Sequence, residues 1–153
     1  MDRQYVKENA KSLERLRKLV NNITDDELKL VIYKEGLTIA ALLGHVAFWD
    51  ERRRFLLRKW KLNGVTPSMI ADEDVDILND ALTPFFLAIS PRKLAEMAIR
   101  NAEALDNELE KISPELIKAI EAIGDRHALN RGIHRNMHLD EIDAFLKAKP
   151  KVR

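Results

Sequence analysis

From Thr38 to Asn63 the chain contains no proline and brings an apolar residue back every three or four positions: Ile39, Leu42, Leu43, Val46, Trp49, Leu56, Leu57 and Trp60. That spacing follows the turn of an α-helix and not the two-residue alternation of a strand. Thr38 is a good N-cap, and Asn63-Gly64 closes the segment as helix C-termini commonly close. The partners for so long an apolar stripe are other helices.

Three further segments carry the same period. Gln4 to Asn22 repeats Tyr5 or Val6, Leu13, Leu16, Leu19 and Val20 between charged residues. Ser90-Pro91 is a cap followed by a first-turn proline, and it launches a helix whose buried stripe is Leu94, Met97, Ala98, Leu105, Leu109 and Ile112. Ser113-Pro114 repeats the signal for a shorter helix ending near Gly124. The last long helix begins around Leu129 and ends before Pro150. Gly132, inside its first turns, costs about 1 kcal/mol against alanine, which implies close packing or a later start.

The remaining stretches are less regular. In "ITDDEL", Thr24 or Asp25 caps a short turn; "LKLVIYKEG" is β-branched and aromatic enough to be extended, closed by Gly36. The connector "VTPSMIADEDVDILNDALTPFF" is broken by Pro67 and Pro84 and has room for a short helix around Val75 to Leu82. No sheet is predicted. The expectation is an all-α single domain over residues 1–153, a four-helix bundle with a long connector between its second and third helices.

Composition narrows the function. With 26 Lys and Arg against 25 Asp and Glu, the net charge of +1 exerts no global pull on nucleic acid or membrane. The absence of cysteine excludes disulfides, thiolate ligands and a cysteine nucleophile. No apolar run approaches a membrane span, and "MDRQYVKENAK" is charged from its second residue, without an apolar signal core. These features predict a cytoplasmic chain that binds neither membrane nor nucleic acid. The basic run from Arg52 to Lys61 reads better as a solvated helix end than as a nucleic-acid surface.

Only four histidines are present, and two of them, His134 and His138, stand four apart in "GIHRNMHLDEIDAFL". On a helix they share one face, about 6 Å apart at Cβ, and can converge on one ion. A third ligand is needed. His45, in the apolar setting "LLGHVAF", is the candidate, although a lone histidine there is more often a hydrogen-bonded core residue.

"GLTIAALLGHVAFWDERR" followed far downstream by "HRNMHLDEIDAFL" resembles the DinB/YfiT-like superfamily. The resemblance follows the order of elements over most of the chain, although Leu37 stands where members often carry tryptophan. It implies a four-helix bundle with a divalent metal on His45, His134 and His138. It also implies a homodimer acting on a small-molecule substrate. Members include thiol-dependent transferases and isomerases, of the mycothiol-dependent maleylpyruvate isomerase type, and proteins described only as metal-dependent hydrolases. A low-molecular-weight thiol is therefore a second expected cofactor. Three imidazoles leave an open coordination position suited to catalysis, and zinc and nickel both accept such ligands. The competing reading is a non-catalytic helical interaction or stress-response protein with a vestigial or absent metal.

Residues around the histidines have two readings each. Glu141 is either a hydrogen-bond partner of His138 or a general base, or else an exposed acid; Asp140 and Asp50 are nearby in sequence. Arg52 and Trp49 follow His45 on one face, where Arg52 can hold an anionic substrate group and Trp49 can wall a pocket. The plainer reading makes Trp49 core and Arg52 solvated. Arg131 and Arg135 either bind a carboxylate or phosphate or face solvent, and His127 is assigned to a loop or surface.

Overall fold

A computed structural model of the chain describes residues 3–66 and 70–149. Among them are seven helices: α1 (Gln4–Asn22), α2 (Asp25–Leu28), α3 (Ile39–Asn63), α4 (Asp72–Ala88), α5 (Pro91–Glu110), α6 (Pro114–Glu121) and α7 (Gly132–Ala148). The described residues contain no strand, only an isolated antiparallel bridge between Val31 and Thr38. The fold is all-α. None of its described helices is long and apolar enough to cross a membrane. Pro67 and Pro150 lie outside the described residues.

Local chemistry sets most boundaries. Thr24 and Glu27 cap α2 reciprocally. The Thr38 hydroxyl accepts from the Ala41 N–H at 3.1 Å, and Ser113 does the same for Leu116 at 3.2 Å. Between α2 and α3, the Ile32 N–H donates to Leu37 O at 2.9 Å and the chain reverses through Gly36 at φ 87°, which glycine adopts without strain. That turn carries Tyr33 toward α7.

α5 packs most extensively against α3; α1 packs on α5 and α7, and α7 completes the circuit on α3. Two apolar clusters fill the interior. One includes Leu16, Leu43, Leu94 and Ile142, the other Tyr5, Leu57, Leu105 and Ile120. Polar residues occupy the positions between the clusters on α1, on α3, and on α7 with the residue before it: Asn9, Ser12, Asp50, Arg131 and Arg135, all buried.

Arg135 is 0 % exposed, and its guanidinium lies between two carboxylates. Its Nε donates to Asp50 at 2.8 Å, and its two terminal nitrogens donate to Asp106 at 2.8 and 2.9 Å. The other Asp50 oxygen accepts from Arg131 Nε at 2.9 Å. Two cations thus meet two anions. Burial opposes the Arg135 charge, but Asp50 and Asp106 outweigh it and hold its pKa above the ordinary arginine value.

Two elements differ from expectation. The last helix begins at Gly132, not Leu129, because Asn9 of α1 caps it: Asn9 Oδ1 accepts from the N–H groups of Arg131 and Gly132 at 2.8 and 3.1 Å. A Cβ at position 132 would stand 3.0 Å from the Glu8 carbonyl oxygen, so the glycine permits this approach. The connector holds α4, much longer than the short helix expected, with Pro84 inside it. Pro84 and Asp80 are both exposed, so water can serve the carbonyl that the missing N–H leaves unpaired. The Thr83 hydroxyl donates to Asn79 O at 2.9 Å on the same turn, and Phe86 buries the end of α4 against Gly44.

Candidate metal centre

His45 on α3 faces His134 and His138 on α7. The Nε2 atoms of His45 and His138 lie 3.1 and 3.2 Å from His134 Nε2, and one ring nitrogen from each residue falls within 4.8 Å of the others. Two nitrogens bound tetrahedrally to one zinc-like ion stand about 3.3 Å apart. The spacing fits.

Protonation gives an independent test. His138 Nδ1 lies 3.0 Å from Glu141 Oε2, and a carboxylate accepts, so the proton sits on Nδ1 and the Nε2 lone pair faces the cluster. His134 Nε2 has two nitrogen neighbours but at most one proton to share. Its Nδ1 is buried without a hydrogen-bond partner among the described residues. In every tautomer His134 Nδ1 stays unpartnered, so the crowding of lone pairs at the three Nε2 atoms is what a cation there would relieve. The donor set, all imidazole, suits zinc or nickel.

Burial keeps the His45 and His134 rings neutral. Burial, aided by His138, lowers the His45 pKa to about 4, against the opposing pull of Asn79 and Glu141. Burial lowers His134 further, with Arg131, His138 and His45 adding to it. Neutral imidazole is the form that coordinates a metal.

Glu141 Oε2 also accepts from the Tyr33 hydroxyl, so the predicted acid is a partner of His138 and half-buried. Burial and this hydrogen bond raise the Tyr33 pKa. Tyr33 comes from the loop before α3, and no spacing in the sequence ties it to a helix face near the histidines.

A cavity of about 450 Å³ opens onto the three histidines, within the range of small-molecule sites. Trp49, Arg52 and Trp60 line it from α3, Asn79 from α4 and Met137 from α7. Trp49 is a cavity wall rather than core, anchored by its indole N–H to Asn79 Oδ1 at 2.9 Å. Arg52 is half-buried rather than solvated, its guanidinium 5.5 Å from the Trp49 ring centroid. A second cavity, about 380 Å³, shares His45, Asn79 and His138 with the first and adds Tyr33 and Thr83.

Other expectations need correction. Arg131 and Arg135 are buried rather than solvent-facing: Arg131 pairs with Asp50 and also lines the first cavity, and Arg135 pairs with Asp50 and Asp106. Asp50 therefore serves the arginines and not a histidine. Asp140 is exposed and pairs with Arg15 at 2.7 Å. His127 does precede α7 in a loop, yet it lines the first cavity. Within the basic run, Arg53 pairs with Asp125, and Arg54 and Arg58 share Glu108.

No family model, curated protein or solved structure matches this chain.

Proposed function

We propose that this protein is a metal-dependent enzyme of the DinB/YfiT-like type. In this reading α1, α3, α5 and α7 form a four-helix bundle holding zinc or nickel on His45, His134 and His138. The reaction is hydrolysis, or thiol-dependent transfer or isomerisation, of a small molecule. The observation that carries the reading is the convergence of three Nε2 atoms from two helices on the wall of a cavity.

A bound divalent ion supplies Lewis acidity there. The chain's own residues prepare the site. Glu141 holds the proton of His138 on Nδ1, and Tyr33 holds Glu141, so the imidazole presents a fixed lone pair. These are positioning roles. The cavity beside the cluster supports an enzyme over a non-catalytic scaffold, which needs no access to the ion. A cytoplasmic homodimer belongs to the same proposal.

Zinc- or nickel-loaded protein should turn over in one of two screens: p-nitrophenyl esters for hydrolysis, or monochlorobimane with a low-molecular-weight thiol for transfer. The activity should vanish on chelation and in His45→Ala. A protein that binds one ion and is inert in both screens contradicts the enzymatic reading.

A further inference from the structure

Of the α3 residues that line the first cavity, His45, Trp49, Arg52, Leu56 and Trp60 recur at helical spacing and form one continuous stripe, with Arg53 beside it. Around the cavity the cations are treated unequally. Arg53 is bonded to Asp125 at 3.0 Å and Arg131 to Asp50 at 2.9 Å. Arg52 has no carboxylate partner among the described residues. Asp72 and Asp125 also line the cavity, but Asp125 is already engaged by Arg53 and Asp72 is an exposed residue in the first turn of α4. Burial and the nearby Arg131 both disfavour the Arg52 charge, with Asp125 opposing them.

Trp60, 4 % exposed, lies on the same stripe and gives the cavity an apolar ring face, its indole nitrogen being sealed inside the fold. Around Arg52 the walls are apolar: Trp49, Leu56, Ile70, Val75 and Met137.

We propose that this cavity binds an amphipathic monoanion, with its anionic oxygens at the Arg52 guanidinium and its apolar body against Trp49 and Met137. Arg52 follows His45 by seven residues, about 10 Å along the helix axis, so the body of such a ligand extends from the anionic end toward the histidine cluster. The proposal rests on the cavity being a substrate site, as the proposed function holds, but it does not require the metal.

The chain's two tryptophans both line this cavity, so intrinsic fluorescence reports its occupancy. The probes are 4-phenylbutyrate, 4-phenylbutanol and 4-phenylbutylamine, titrated into chelator-treated and zinc-loaded protein. The expected result is saturable binding of the carboxylate at least about tenfold tighter than the alcohol, and weakest binding of the amine, in both preparations. Arg52→Met should bring carboxylate and alcohol within about twofold, while Arg52→Lys keeps part of the preference; circular dichroism checks that each variant is folded. Equal affinity for carboxylate and alcohol in the wild type overturns the proposal, as does a preference that survives Arg52→Met. A preference seen only with zinc and unaffected at Arg52 assigns the anion to the ion, overturning this proposal while supporting the metal site. Failure of zinc to bind, with the Arg52-dependent preference intact, does the reverse.

Discussion

Asp50→Asn is the perturbation that most directly probes the polar layer between the two apolar clusters. The substitution keeps the side-chain volume, so no cavity term enters. It removes the one anion shared by Arg131 and Arg135, whose side chains are 5 % and 0 % exposed. The new amide can accept from one guanidinium only and turns its NH₂ toward the other, leaving a net positive charge in the interior. Removing one partner of a buried ion pair costs about 3–5 kcal/mol. With a urea m-value of about 2 kcal/mol per molar, the unfolding midpoint of metal-free protein should fall by roughly 1.5–2.5 M. Asp140→Asn is the control: its pair with Arg15 is 70 % exposed on the aspartate side and should shift the midpoint by less than about 0.5 M. Equal shifts for the two variants would refute the argument, because Asp50 would then be solvated.

Three further outcomes are expected. Asn9→Ala should cost about 2 kcal/mol in the same urea assay, since it removes the buried cap of α7 and its hydrogen bond to Leu129 O at 2.9 Å; a loss under about 0.5 kcal/mol would mean the cap is dispensable. Glu141→Gln should weaken zinc binding by about 10–100-fold in competition titrations while leaving helicity unchanged, and unaltered affinity would deny Glu141 its positioning role. Because burial lowers His45 to about 4 in the folded chain, the unfolded state takes up a proton first as pH falls below about 6.5. Metal-free stability should then decline by up to about 1.4 kcal/mol per pH unit for each of His45 and His134 until the folded value is reached, and a flat profile between pH 7 and pH 5 would contradict it.

The helices with apolar residues at helical spacing are legible in the sequence: α1 spans Gln4 to Asn22 as its period predicts, α5 starts at Pro91 as predicted, and α3 runs as expected to Asn63. α4 is not, because its apolar residues form no buried stripe; Ile77, Phe85 and Leu87 are 56, 67 and 49 % exposed, and Pro84 reads as a break. The His134–His138 pair is local and so visible at four-residue spacing. What joins it to its surroundings is not local. Arginines normally keep their charge in water, and nothing near Arg135 in sequence announces Asp50, 85 residues away. Asn9 reaches α7 across 122 residues, and Tyr33 reaches Glu141 across 108 from a loop without periodicity. Tertiary geometry alone brings these partners together.

Metal content of tag-free protein after dialysis against zinc, measured by elemental mass spectrometry for wild type and His134→Ala, tests the central claim. His134 Nε2 lies 3.1 and 3.2 Å from its two neighbours, so its loss removes the shared member of the cluster. The account predicts about one equivalent in the wild type and none in a variant that keeps its helicity. Wild-type protein that stays empty in zinc and in nickel, or a variant that retains its ion, would contradict it.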